Sequence, residues 1–203
     1  MKDGILRVRA HLSPGERVQA HGAGAGLRVM FDASALVQRY AAEAGHARVL
    51  ALMGQADQVL VAAHCLSEVG AGLLRLRREA CMAPAEFDRA WAAVQRDVAD
   101  MVRVPVDDHV ERFAFAAMER EPLRVTDALH LGSALVANVD LFVTADRRVA
   151  QLARLLGLPS ECLDDEAHTR KRRAAPKFSS TPSERLAKPG LGAPTKNQAM
   201  VTP

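Results

Sequence analysis

Short apolar runs alternate along the chain with longer stretches in which apolar residues recur every three or four positions. The runs have the length and composition of buried β-strands, and the last of them has the features of an edge strand. These predicted strands cover residues 27–31, 58–62, 101–106, 140–144 and 161–163.

The stretches between the predicted strands have the periodicity of amphipathic helices. Leu36, Val37 and Tyr40 share one helical face, and Pro84 suits the first turn of a helix that carries Trp91. The predicted helices begin after Asp32, around Val49, at Ser67, at Pro84, and at positions 107, 126 and 146. Alternating strands and helices predict a three-layer α/β fold. Its central parallel sheet has helices on both faces, and ligands bind at the carboxyl ends of the strands.

Composition divides the chain into three segments. A hydrophobic content of 49% over 203 residues supports one core, which we assign to residues 27–164. Residues 1–26 end in a Gly-rich stretch that precedes a strand, whereas phosphate-binding glycine loops follow one, so we interpret them as a flexible extension. Residues 165–203 are rich in Pro and basic residues and lack apolar periodicity, which predicts a disordered tail.

The net charge of +3 conceals an acidic body and a basic tail. Residues 167–203 carry eight Lys or Arg against one acid, which leaves 19 basic and 23 acidic residues in 1–166. The tail is interpreted either as an electrostatic arm for nucleic acid or, in the simpler view that we favour, as an extension without a function of its own.

The spacing of the cysteines and the length of the apolar runs indicate the cellular compartment. Cys65, Cys81 and Cys162 form no Cys-x-x-Cys pair, so the sequence predicts neither a disulfide framework nor a zinc knuckle. No apolar run reaches the roughly 18 residues of a membrane span, and the first 26 residues lack the apolar centre of a signal peptide. These features predict a soluble cytoplasmic protein with no membrane partner.

Four acids stand at predicted junctions between strands and helices: Asp32, Glu68, Asp127 and Asp146. Each alone is most simply a helix cap, and we expect Asp127 and Asp146 to cap their helices. Four carboxylates at one edge of a sheet would repel one another unless a cation lay between them. Oxygen ligands favour Mg²⁺, or Mn²⁺, over zinc, and such a cluster suits metal-assisted phosphodiester hydrolysis.

The segments around these acids resemble, in the right order, the four acidic motifs of PIN-domain ribonucleases. They are residues 29–37, 66–69, 125–131 and 142–148. Within that superfamily the sequence is most similar to the VapC-like toxins of bacterial toxin–antitoxin pairs, over about residues 27–164. The resemblance implies a PIN-like fold and a Mg²⁺-dependent endoribonuclease.

The resemblance also assigns roles to the four acids. Asp32 and Asp127 are implied as direct metal ligands, and Asp146 as a ligand acting directly or through water. Glu68 is implied as the group that orients or deprotonates the attacking water.

Other residues near the motifs receive weaker assignments. Ser34 and Thr144 would fix the rotamers of the carboxylates. Arg147 and Arg148 are candidates for binding RNA phosphate or an antitoxin carboxylate, although arginines at such positions are as often solvated. His130, three residues after Asp127, is interpreted mainly as a packing residue.

The family's partners are implied in the same way. Its substrate is single-stranded or looped RNA, its inhibitor is a small antitoxin protein, and homodimers are frequent. The antitoxin would cover the helical hairpin predicted at 67–80 and 84–99. The extension at 1–26 and the basic tail depart from the family's usual length.

Several alternatives remain open at the level of sequence. A non-toxin RNA-processing nuclease would have the same residues, and a silent RNA-binding or partner-binding scaffold would be expected to lose an acid. Receiver-type and haloacid-dehalogenase folds also place an Asp at a strand end, but they use a late Lys, and Lys2 is the only Lys in residues 1–166. A Cys–His nucleophile pair at His64 and Cys65 is disfavoured, because neighbours on a strand point to opposite faces.

Overall fold

The computed structural model describes residues 26–41 and 43–164. Apart from Gly26, the extension assigned to residues 1–26 lies outside this range, and so does the whole tail assigned to 165–203. Within the described residues, every helix is too short or too polar to cross a membrane.

Five strands form one parallel sheet. They are β1 (Arg28–Phe31), β2 (Gln58–Ala62), β3 (Val102–Val104), β4 (Leu141–Thr144) and β5 (Ser160–Cys162). Their order in the sheet is β3-β2-β1-β4-β5, and every neighbouring pair is parallel. The chain therefore extends the sheet first on one side of β1 and then on the other. Such a change of direction opens a crevice at the carboxyl ends of the two central strands, β1 and β4.

Helices cover both faces of this sheet. Among the described residues they are α1 (Ala33–Tyr40), α2 (His46–Gln55), α3 (Cys65–Arg78), α4 (Pro84–Ala99), α5 (Asp108–Arg120), α6 (Val125–Val136) and α7 (Arg147–Leu155). Side chains of β1 alternate between two cores: Val29 and Phe31 pack with α1–α4, and Met30 packs with α5–α7. The predicted three-layer α/β fold is confirmed.

Most predicted boundaries differ from the structure by one or two residues, and three of the differences are informative. The strand predicted at 101–106 covers only Val102–Val104, because Pro105 has no amide hydrogen to continue the ladder. The helix predicted from Ser67 begins at Cys65, so His64 and Cys65 lie at a helix start and not on a strand. The helix predicted from 126 begins one residue earlier, at Val125, and its N-cap is Arg124.

Candidate functional site

The four acids that the sequence singled out line one cleft of about 700 Å³. Asp32 directly follows β1, and Asp146 lies two residues beyond β4. Glu68 and Asp127 belong to the first turns of α3 and α6. The cleft thus lies at the crevice that the strand order opens, with two acids contributed by strand ends and two by helices.

Asp32 is the most buried of the four acids, with 5% of its surface exposed. It is the N-cap of α1, and its Oδ1 accepts hydrogen bonds from the Ala35 amide (2.8 Å) and the Ser34 hydroxyl (2.7 Å). Burial raises the pKa of Asp32, although the charge of His130 and hydrogen bonds, including one from Thr144, act in the opposite direction. Neither bond to Oδ1 occupies Oδ2, the second oxygen of the carboxylate.

Ser34 and Thr144 join the ends of the two central strands. The amide of Ala145 donates to Ser34 Oγ at 2.8 Å, and Ser34 Oγ lies 3.3 Å from Thr144 Oγ1. Thr144 Oγ1 also accepts the amide of Asp146 at 3.0 Å. Each hydroxyl therefore connects one acid to the opposite strand end, which sets the separation of Asp32 and Asp146.

Asp146 caps α7, as the sequence predicted. Its Oδ1 accepts the amides of Arg148 (2.7 Å) and Val149 (3.3 Å). The prediction that Asp127 caps its helix is wrong, because α6 begins two residues before it and Arg124 occupies the N-cap position. Asp127 is an acid inside the first turn, so no capping bond determines where its carboxylate points.

Asp127 experiences the combined charge of the other three acids. Burial raises the pKa of Asp127, and the charges of Asp32, Asp146 and Glu68 raise it further, while Arg124 opposes them. The ligand atoms that these acids offer to a metal are carboxylate oxygens, and a bound divalent cation would relieve the repulsion between them. The chemistry of the cleft therefore suits a Mg²⁺-class ion.

Glu68 is hydrogen-bonded to a histidine that the sequence interpretation treated mainly as packing. Nε2 of His130 lies 2.6 Å from Glu68 Oε2, and His130 is only 2% exposed. Burial would raise the pKa of Glu68, but the hydrogen bond and charge of His130, with help from Thr126 and His64, outweigh it and lower that pKa. Glu68 is therefore ionised at neutral pH. The sequence feature that could have placed His130 at the site is its spacing from Asp127, since residues three apart share a helical face.

The rim of the cleft carries three arginines, Arg75, Arg124 and Arg148. Arg148 also donates to the carbonyl of Pro122 at 3.0 Å. Arg147, the other sequence candidate, does not line the cleft and donates to the Asp164 carbonyl at 3.4 Å. Sequence reasoning missed Arg75, although it follows Glu68 by seven residues, or two helical turns, and so shares its face.

Ser34→Ala is expected to weaken Mn²⁺ binding about tenfold, a typical cost of losing a group that orients a metal ligand. The change removes a donor to Asp32 and the acceptor of the Ala145 amide, so both strand ends lose a fixed position. Isothermal titration calorimetry with Mn²⁺ measures the effect. Ser67→Ala, at an exposed serine outside the cleft, is the matched control. Equal affinity in Ser34→Ala and wild type would contradict the role of Ser34.

Comparison with known proteins finds one matching family and several similar folds. The sequence model of the PIN domain family matches residues 29–155. VapBC2 from Rickettsia felis, solved bound to a DNA fragment from its promoter, is similar at 12% identity and a TM-score of 0.50, over 67% of this chain and 98% of that one. PAE2754 from Pyrobaculum aerophilum is similar at 16% identity and a TM-score of 0.51, over 72% and 90%. No curated protein matches the sequence. At such identities the structural likeness concerns the fold alone.

Proposed function

This chain belongs to the PIN domain family, and from that premise we propose that it is a divalent-metal-dependent endoribonuclease. One observation carries the proposal: four carboxylates line one cleft, where burial and the charges of the other three acids raise the pKa of Asp127. Folding brings like charges together here at a cost in stability, which is typical of a site built for a cation or a reaction.

The proposed ion is Mg²⁺, with Mn²⁺ as a substitute, held by Asp32, Asp127 and Asp146. When bound, it would neutralise charge on the phosphodiester and make a water molecule more acidic. Ser34 donates a hydrogen bond to the Asp32 carboxylate, and Thr144 accepts the backbone amide of Asp146, so both strand ends are held in place.

Glu68 is the proposed general base. It is ionised at neutral pH, as a base must be, and its hydrogen bond to His130 fixes the orientation of its carboxylate. Arg75, Arg124 and Arg148 line the cleft and are exposed to solvent, and one guanidinium group can bind two phosphate oxygens at once. We assign these arginines to the RNA backbone on either side of the bond that is cut.

We further propose that the enzyme is the toxin of a toxin–antitoxin pair. The support is the VapC-like order of its motifs and the similarity of its fold to VapBC2 of Rickettsia felis. A protein antitoxin would bind the hairpin of α3 and α4 and so block the cleft, to which α3 contributes Glu68 and Arg75.

The proposed function is tested by incubating the purified full-length protein with transfer RNA and total RNA. Cleavage is expected with Mg²⁺ or Mn²⁺, is expected to stop with EDTA, and should return when excess Mg²⁺ is added. Calorimetry with Mn²⁺ on the same preparation shows whether the metal site is intact. A folded protein that binds Mn²⁺ but cuts neither RNA preparation would refute the nuclease assignment and favour a binding scaffold.

A further inference from the structure

Two imidazole rings and one carboxylate meet beside the acidic cleft. The rings of His64 and His130 have centroids 4.4 Å apart. Glu68 Oε2 lies 2.6 Å from Nε2 of His130 and 3.5 Å from Nε2 of His64. One ligand atom from each of the three residues lies within 4.8 Å of the others. This cluster is small enough to surround a single ion.

The hydrogen bonds of the cluster are incomplete. Nδ1 of His130 has no hydrogen-bond partner within the part of the chain that the structure describes, although the side chain is 98% buried. The 3.5 Å separation of His64 Nε2 from Glu68 is beyond the usual length of a hydrogen bond. Leaving a buried polar atom unpaired costs about 1–3 kcal/mol. Neutral imidazole is the commonest metal ligand in proteins, so two such rings beside a carboxylate point to an ion.

The three residues are placed as ligands of one site would be. His64 and Glu68 are four residues apart at the start of α3, so they share one helical face. His130 comes from α6 and completes the set from the opposite side. Two nitrogens and one carboxylate oxygen are the donors of an open zinc site, whereas Mg²⁺ prefers oxygen alone.

We propose that His64, Glu68 and His130 form a second metal site, selective for Zn²⁺ and similar transition-metal ions over Mg²⁺. Zinc lies about 2.0–2.2 Å from nitrogen and oxygen ligands. The ligand atoms therefore need only small side-chain rotations to close around an ion. As the ion binds Nε2 of His130, the proton between that nitrogen and Glu68 is displaced, and the neutral ring carries its single proton on Nδ1. The ion then links α3 to α6.

Binding at this site occupies Glu68. Because Glu68 is the base assigned to RNA cleavage, zinc at this site inhibits the Mg²⁺-dependent reaction. This regulatory consequence rests on the proposed function, whereas the site itself does not.

Metal binding is tested on untagged full-length protein without RNA. All variants carry Cys81→Ser, because that exposed thiol would also bind zinc. Co²⁺ is titrated as the probe, since its visible absorption reports nitrogen ligands and low coordination number, and the melting temperature is measured with and without Zn²⁺. His64→Leu removes one ligand, and His109→Leu, a histidine in the first turn of α5 that does not line the cleft, is the matched control.

The expected result is a visible band that saturates with one nitrogen-ligated Co²⁺ per chain, apart from any ion bound by the carboxylates of the cleft, and a higher melting temperature with Zn²⁺, in the parent and in His109→Leu. His64→Leu should bind Co²⁺ at least about tenfold more weakly and lose the shift in melting temperature. Equal binding in His64→Leu and the parent would overturn the site, as would a folded parent that binds no Co²⁺.

A second measurement tests whether zinc inhibits RNA cleavage, independently of whether the metal site exists. Zinc is added to the Mg²⁺-dependent cleavage of transfer RNA, and each protein is compared with its own zinc-free rate. The parent and His109→Leu should be inhibited at zinc concentrations about tenfold lower than those that inhibit His64→Leu. If no protein cuts RNA, the proposed nuclease fails while the Co²⁺ titration still decides the metal site. Equal inhibition of His64→Leu would refute the regulatory role.

Discussion

Replacing Asp127 by Asn is expected to abolish RNA cleavage while leaving the metal-free protein at least as stable as the wild type. Cleavage should fall roughly a thousandfold, because a metal ion contributes several kcal/mol of transition-state stabilisation and Asp127 is one of its three proposed ligands. Stability should hold or rise, because burial and the charges of Asp32, Asp146 and Glu68 disfavour an ionised Asp127. The amide has nearly the same shape and no charge to repel.

The pH dependence of the stability difference follows from the raised pKa of Asp127. A carboxyl whose pKa is higher in the folded protein than its ordinary 3.8 destabilises the fold once it ionises. Wild-type stability, relative to Asp127→Asn, should therefore decline as pH rises through that raised pKa. The difference should disappear below pH 3.8, where the carboxyl is neutral in both states.

Urea unfolding in EDTA at several pH values and RNA cleavage in Mg²⁺ are the two measurements for this variant. Asp108→Asn is the matched control, since Asp108 lies in the first turn of α5 and does not line the cleft. It should cut RNA at the wild-type rate. If Asp127→Asn lowers the free energy of unfolding by more than Asp108→Asn does, then the ionised Asp127 stabilises the fold and this prediction is wrong.

Gly132→Ala is expected to destabilise the protein by about 3 kcal/mol, at the upper end of the usual cost of overpacking. A Cβ at Gly132 of α6 would lie 2.4 Å from the backbone carbonyl oxygen of Val110 in α5. A backbone atom cannot rotate out of the way, so the two helices must separate. The loss should exceed the gain of roughly 1 kcal/mol that Ala normally brings to a helix interior.

Gly54→Ala isolates the effect of helix propensity. Gly54 lies inside α2, and a Cβ there would meet no atom within 4 Å. This variant should therefore be more stable than wild type by up to about 1 kcal/mol. Urea unfolding of the two variants in parallel gives the comparison. Opposite signs are expected, and a stabilised Gly132→Ala would mean that α5 and α6 pack less tightly than the structure indicates.

The parts of the fold that the sequence predicted correctly are those that local pattern determines. Apolar runs such as 58–62 form strands because the sheet is covered on both faces. Asp32 and Asp146 could be assigned to one edge because each follows a strand of a parallel sheet. Pro105 shows the limit of this reasoning, since its neighbours have strand-like composition but its missing amide ends the ladder early.

The parts that the sequence did not predict depend on how distant helices rotate against each other. Glu68 and His130 are 62 residues apart, and their hydrogen bond exists only because α3 and α6 turn these faces toward one cleft. The same applies to Arg75 and Arg124, which no motif marks. The start of α6 at Val125 was missed because Thr126 is a better cap by composition than Arg124, which makes no side-chain capping bond.

One side of the cleft is formed by residues at strand ends, and the other side by residues on helices. Asp32 and Asp146 are held by strand ends that hydrogen-bond directly, with Asp32 donating its amide to the Val143 carbonyl at 3.0 Å. Glu68 and the arginine of its second turn, Arg75, are carried by α3. Substitutions that shift α3 would therefore move Glu68 and Arg75 together while the strand-end carboxylates keep their positions. The proposed base and the arginine beside it can therefore change position in evolution independently of the two acids that the strand ends hold.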